Sequence, residues 1–209
     1  MSRAVTYYFS LLSPWAYLGH SEFGRIAERR DVVIDYRPVN LVTLFPETGG
    51  LPLGKRHPSR QKYRLVEMQR WREARDLPLV LKPRHWPFDF KLADRTALAA
   101  ARMGDQAKAH AFIACAFRAV WVDERDMADP AVIASLLTEC GFDADAVLES
   151  ARSAQIEEAY AANYESALAD GVYGSPSYVL DGEVFWGQDR LELLEQALVS
   201  DRAAFSADV

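Results

Sequence analysis

The chain has 209 residues, half of them apolar and 26% charged, a composition suited to one substantial globular domain and unlike that of a disordered chain. Thirty acidic residues against 24 basic ones give a net charge of -6, which argues against DNA or RNA as the main partner, because phosphate binding needs a basic face. No apolar run reaches the roughly 18–20 residues of a membrane span, and MSRAVTYYFS lacks the features of a signal peptide, so a soluble, cytoplasmic protein is expected.

Ala4 to Phe9 is β-branched and aromatic and reads as a strand. The turn S-L-L-S-P follows, with Ser13 suited to a helix N-cap and Pro14 to the first turn. A helix is predicted from Trp15 to Arg30, with Tyr17, Leu18, Phe23, Ile26 and Ala27 on its apolar face, then a second strand from Val32 to Val39. This β-α-β order favours a parallel pair. Residues 40–62 read as a loop rich in proline and glycine, and residues 60 to about 170 as almost wholly helical. Breaks fall at 82–88 and 123–130, the second offering Asp129 as N-cap and Pro130 as first helical residue. Ser177–Leu180 and Glu183–Trp186 form a hairpin around Asp181–Gly182. A last helix carries Leu191, Leu194, Ala197 and Leu198.

The pattern is α/β: a thioredoxin-like β-α-β … α-β-β-α core with an all-helical insertion after the second strand. The expected parts are a core at 1–40 and 150–200, an insertion at 41–149 and a C-terminal tail at 201–209. Cys115 and Cys140 sit in helical apolar patterns and read as small buried core residues. The histidines, His20, His57, His85 and His110, are scattered without ligand spacing, so no metal is expected.

Three segments carry candidate chemistry. S-P-W-A at 13–16 lies where thioredoxin-like oxidoreductases place C-P-x-C, but Ser13 and Ala16 replace both cysteines. Dithiol exchange is excluded there. A hydroxyl at a helix N-terminus still suits a thiolate brought by another molecule, while the plainer role of Ser13 is a cap. G-S-P at 174–176 offers either a turn proline in trans or a cis proline that exposes the N–H and C=O of Ser175 to a bound peptide. In G-Q-D-R at 187–190, Asp189 either caps the last helix or accepts a ligand ammonium, and Gln188 can supply amide contacts to a carboxylate.

Taken in order, F-S-L-L-S-P-W-A-Y-L-G, G-V-Y-G-S-P-S and W-G-Q-D-R-L resemble 2-hydroxychromene-2-carboxylate isomerases and their relatives, the kappa-class glutathione transferases, in the DsbA-like branch of the thioredoxin fold. The match covers essentially the whole chain. It implies glutathione as cofactor, with its thiol held by Ser13, its cysteinyl backbone by Ser175 and Pro176, and its γ-glutamyl group by Gln188 and Asp189. It implies isomerisation of a small aromatic carboxylate by reversible thiolate addition. Conjugation or peroxide reduction by a kappa-like transferase, and a non-catalytic binding module, are the competing readings. Dimers are common in the family, and no feature of the sequence fixes an interface, so a homodimer stays open. The chain departs from the family pattern in two places: Gln188-Asp189 stands where many members carry S-D, and Gly50 follows Thr48-Gly49 where several carry asparagine.

The stretch Lys55, Arg56, Arg60, Lys62, Arg64, Arg70, Arg72 and Arg75 is unusually basic. Its ordinary role is a solvated face. The functional alternative is that one or two of these residues, with Lys62 the leading candidate, bind carboxylates of glutathione or substrate. Trp86 and Phe88, around Pro87, either wall an acceptor pocket or pack the insertion on the core.

Overall fold

The computed structural model describes residues 3–200 and 202–206. Four strands form one sheet: β1 (Ala4–Phe9), β2 (Val33–Pro38), β3 (Ser177–Leu180) and β4 (Glu183–Trp186), in the order β2-β1-β3-β4. β1 pairs parallel with β2 and antiparallel with β3, and β3 pairs antiparallel with β4. A parallel pair needs a crossover element, here α1 (Pro14–Arg29). The β3–β4 turn places Asp181 and Gly182 at positive φ, 52° and 86°, the tight hairpin that an Asp-Gly pair favours.

β1 is one of the two inner strands and is buried on both faces. Tyr7 and Phe9 point into the larger apolar cluster, whereas Tyr8 points into a smaller one with Val39, Leu44, Val172 and Val179. The two-residue alternation of a strand separates these neighbours. The outer edge of β2 is blunted by side-chain amides. Gln106 accepts from the Ile34 N–H at 2.7 Å and donates to Val32 O at 3.0 Å, and Asn163 donates to Pro38 O at 3.1 Å. Such pairing removes a template for edge-to-edge association.

Between β2 and β3 run α2 (Leu41–Glu47), α3 (Pro58–Ala74), α4 (Lys91–Met103), α5 (Gln106–Trp121), α6 (Pro130–Glu139), α7 (Ala144–Arg152) and α8 (Ala154–Ala169), and α9 (Leu191–Val199) closes the fold. Asp129 caps α6 through the Ala131 N–H at 2.8 Å, with Pro130 as its first residue. The expected loop at 40–62 is partly helical. Asn40 caps α2 by accepting from Val42 N–H at 3.0 Å, and Leu41 and Leu44, one turn apart, are buried. Pro46 sits in the last turn of α2 and disguises it in the sequence. The larger apolar cluster is continuous from the sheet into α4, α5, α6 and α7.

Cys115 and Cys140 are not fully buried. Each is only half-covered at the margin of the cluster. His20 and His110, distant in sequence, stack with ring centroids 3.8 Å apart. Of the C-terminal tail expected at 201–209, the described part returns to the sheet: Arg202 pairs with Glu183 at 2.7 Å. The remainder of that range, with residues 1 and 2, lies outside the described residues.

Candidate functional site

The site is built on the four residues Ser10–Ser13 that join β1 to α1. Ser13 has an extended backbone (φ -94°, ψ 114°) and Pro14 opens the helix, so the Ser13 Oγ can accept from the Ala16 N–H, at 3.2 Å. This is the capping geometry a serine before proline favours. The same oxygen donates its proton to the Ser175 carbonyl at 2.9 Å. The Ser175–Pro176 bond is cis. Ser175 Oγ in turn accepts from the Ser10 N–H at 3.1 Å, and the Pro176 carbonyl accepts from Gly187 N–H at 2.9 Å. Ser13, Ser175, Pro176 and Gly187 thus form one hydrogen-bonded chain at the N-terminal end of α1.

The loop is held from the insertion as well. Asp94 of α4 accepts from the Ser10 hydroxyl at 3.0 Å, the Leu11 N–H at 3.1 Å and the Tyr160 hydroxyl at 3.3 Å. Trp121 Nε1–H donates to Leu11 O and Trp86 Nε1–H to Leu12 O, both at 3.1 Å. Burial pushes the Asp94 carboxyl up to about 7, although its three donors oppose the shift.

Ser13 is 4% exposed and Ser175 7%, so only an outer edge of the pair meets solvent. The first turn of α1 carries no acidic residue to compete for its N-terminal field. The Ser175 carbonyl is engaged by Ser13, whereas the sequence reading left both backbone groups of Ser175 free for a ligand. A single hydroxyl proton explains the difference, since it satisfies whichever acceptor lies nearest.

Gln188 is buried against α1, and its side-chain oxygen accepts from Arg75 Nε and Nη2 at 3.2 and 3.1 Å. That oxygen is committed inside the protein, which leaves the side-chain amide N–H groups for a ligand carboxylate. Asp189 is exposed and pairs with Arg190 at 2.6 Å. It caps neither the 3-10 turn at Gln188–Arg190 nor α9, because Gly187 and Arg190 occupy the cap positions without side-chain bonds. It lines instead a cavity of about 290 Å³ between α1, α3 and α9, together with Glu22, Glu192, Glu195, Trp71 and Arg75.

Trp86 reaches the Ser13 loop through Leu12, and the Trp86–Pro87 bond is also cis. Phe88 is half-buried against the main cluster. Lys62 is exposed on α3 and makes no side-chain hydrogen bond or ion pair among the described residues. Arg64 lies two residues on, about 200° round the helix, and its guanidinium sits over the Trp86 ring at 5.5 Å. Sequence reading missed Asp94, Tyr160 and Trp121 as parts of the site, and named Arg75 only as one member of a basic run. The one usable signal was an acid inside the alanine-rich stretch L-A-D-R-T-A-L-A-A-A. Among the described residues, no group of three or more potential metal ligands comes together.

A parallel β-α-β unit joined to an antiparallel hairpin, with a cis proline facing the start of the first helix, defines a thioredoxin-like protein in which serine holds the usual cysteine position. The chain belongs to the DsbA-like thioredoxin domain family, whose model matches residues 4–199. The 2-hydroxychromene-2-carboxylate isomerase of Sphingobium xenophagum is 29% identical over 200 residues, spanning 95% of this chain and 100% of that protein. Human glutathione S-transferase kappa 1 is 23% identical over 218 residues, spanning 95% and 92%. The solved structure of a 2-hydroxychromene-2-carboxylate isomerase superposes with a TM-score of 0.81 at 26% identity, covering 93% of this chain and 94% of that one.

Proposed function

We propose that the protein is a glutathione-dependent isomerase acting on an aromatic carboxylate of the 2-hydroxychromene-2-carboxylate type. The observation that carries this reading is the Ser13 hydroxyl, placed at the N-terminus of α1 and bonded to the carbonyl that precedes a cis proline. Support comes also from relatives that bear the isomerase name and from a relative named as a glutathione transferase.

The residues fit the tripeptide. Ser13 has one proton to donate, and the helix N-terminus beside it favours a negative charge. When Ser13 turns that proton toward a sulfur anion, the Ser175 carbonyl is released to accept a ligand N–H. The protein thus exchanges an internal bond for two bonds to the ligand. Asp189, with Glu22 and Glu192 across the cavity, would take an ammonium group, and the Gln188 amide would meet the neighbouring carboxylate. Bound glutathione would supply a thiolate that adds reversibly to a conjugated alkene, so that rotation becomes free and elimination restores the double bond at unchanged oxidation state.

Ser13→Ala tests the reading. It removes the proton that holds the thiolate, and turnover is expected to fall at least a hundredfold with glutathione present. Loss of the cap costs only about 1 kcal/mol, so the variant remains folded by circular dichroism. Near-normal turnover in a folded variant overturns the assignment. The relative named as a transferase favours a second reading, and product analysis separates the two: isomerisation returns glutathione, conjugation consumes it.

A further inference from the structure

Along the basic helix α3 and its C-cap, Arg60 and Lys62 are exposed, Arg70, Arg72 and Arg75 have partners, and Arg64 is half-buried without one. Arg70 pairs with Glu67 at 2.5 Å, Arg72 donates to Leu79 O at 3.2 Å, and Arg75 holds Gln188. Arg64 is half-buried, yet among the described residues it makes neither an ion pair nor a hydrogen bond. Its guanidinium lies over the Trp86 ring, 5.5 Å from guanidinium carbon to ring centroid. Arg56, whose charge acts on it, is also positive. Burial and then this repulsion pull the Arg64 guanidinium down to about 10, so it stays charged at neutral pH.

A buried cation without a counter-ion is costly and is ordinarily neutralised. Contact with an indole ring uses none of the guanidinium N–H groups as hydrogen-bond donors to a carboxylate or carbonyl, and those N–H groups can grip a carboxylate in a bidentate manner. Trp86 ties this cation to the reaction site, because its Nε1–H bonds the residue immediately before Ser13. We propose that Arg64, stacked on Trp86, receives the carboxylate of the aromatic substrate. This rests on the isomerase reading for the identity of the substrate, not for the existence of an anion site. Glutathione also carries carboxylates. The aromatic surface of Trp86, with Phe88 two residues on, favours an aromatic acid over a flexible tripeptide end.

Binding of stable probes tests this without turnover. Chromone-2-carboxylate and its carboxamide are titrated against tryptophan fluorescence, and glutathione is titrated by calorimetry. Wild type is expected to bind the carboxylate at least tenfold more tightly than the carboxamide. Arg64→Met should abolish that preference and leave glutathione affinity within twofold of wild type. Arg64→Lys, which keeps the charge and loses the fork, should recover part of the preference and serves if the methionine variant does not fold. Equal preference in wild type and Arg64→Met overturns the proposal, as does wild type failing to distinguish the two probes. A loss of glutathione affinity with the chromone preference intact assigns Arg64 to the tripeptide and also overturns it. Absence of isomerase turnover in a wild-type protein that shows the Arg64-dependent preference defeats the functional reading and leaves the carboxylate site standing.

Discussion

Asp94 holds the Ser10–Ser13 loop at two points, the Ser10 hydroxyl and the Leu11 N–H. It is fully buried, and each of its three hydrogen bonds comes from a donor far from it in sequence or on another element. Its carboxyl holds a proton to about pH 7 in the folded chain and releases it near 3.8 when unfolded. Between those values the native state binds more protons, so stability falls as pH rises, by up to about 1.4 kcal/mol per pH unit. Asp94→Asn removes that titration. The melting temperature of the variant relative to wild type is therefore expected to climb as pH is raised from 4 to 7. Parallel melting profiles would show that Asp94 does not titrate in this window. Because Asp94 bonds Ser10 and Leu11, its reach to Ser13 is through the position of the loop.

At the scale of elements, α1 is placed by two glycines in its middle. A glycine there costs about 1 kcal/mol of helix propensity relative to alanine, and close approach explains why the positions tolerate it. A Cβ on Gly19 would lie 2.7 Å from the Cβ of Gln188 and 2.8 Å from the Tyr178 hydroxyl; one on Gly24 would lie 2.3 Å from Nε2 of His110. The His110 ring cannot swing aside, being stacked on His20 and bonded to the Tyr36 hydroxyl at 2.9 Å. Gly24→Ala is accordingly expected to destabilise by about 1–3 kcal/mol despite its better propensity, measured by urea unfolding; a neutral or stabilising effect would mean that α5 shifts freely against α1. Local signals of this kind explain what the sequence discloses. The strands, the Ser13 and Asp129 caps and the Asp-Gly turn are written within a few residues of where they act, and the structure reproduces them. The α2 helix escaped notice because Pro46 resembles a terminator. Asp94, Arg75, Trp121 and the His20–His110 stack act across separations of 83, 113, 110 and 90 residues, and periodicity carries no information about which side chains meet at that distance. Arg64 and Lys62 look equivalent in a basic run, and only the packing of α3 beside Trp86 distinguishes them.

For the whole molecule, the seam between the sheet and the helical insertion concentrates groups whose protonation differs between folded and unfolded chains. His20 on α1 and His110 on α5 meet there, and the Asp94 contact to the Ser10–Leu11 loop crosses it as well. Burial holds the His20 imidazole well below 6.5, reinforced by His110, and burial brings His110 down to about 4. Both are neutral in the native state at pH 5, whereas the unfolded chain protonates both. Below pH 6.5 the unfolded state therefore binds up to two more protons at these sites, and stability is lost as pH falls toward the folded values. Asp94 opposes this with one proton bound more tightly by the native state. The balance of two against one leaves a net loss of stability on acidification between about 6.5 and 4, no steeper than about 1.4 kcal/mol per pH unit from these three groups. Removing His110 as a titrating group reduces the count to one against one. His110→Gln is then expected to have a flatter stability profile across this range than wild type, whatever its absolute stability, and Asp94→Asn a steeper one. Urea unfolding at pH 4.5, 5.5 and 6.5 for the three proteins checks the order. If all three slopes coincide, the acid sensitivity arises outside the seam.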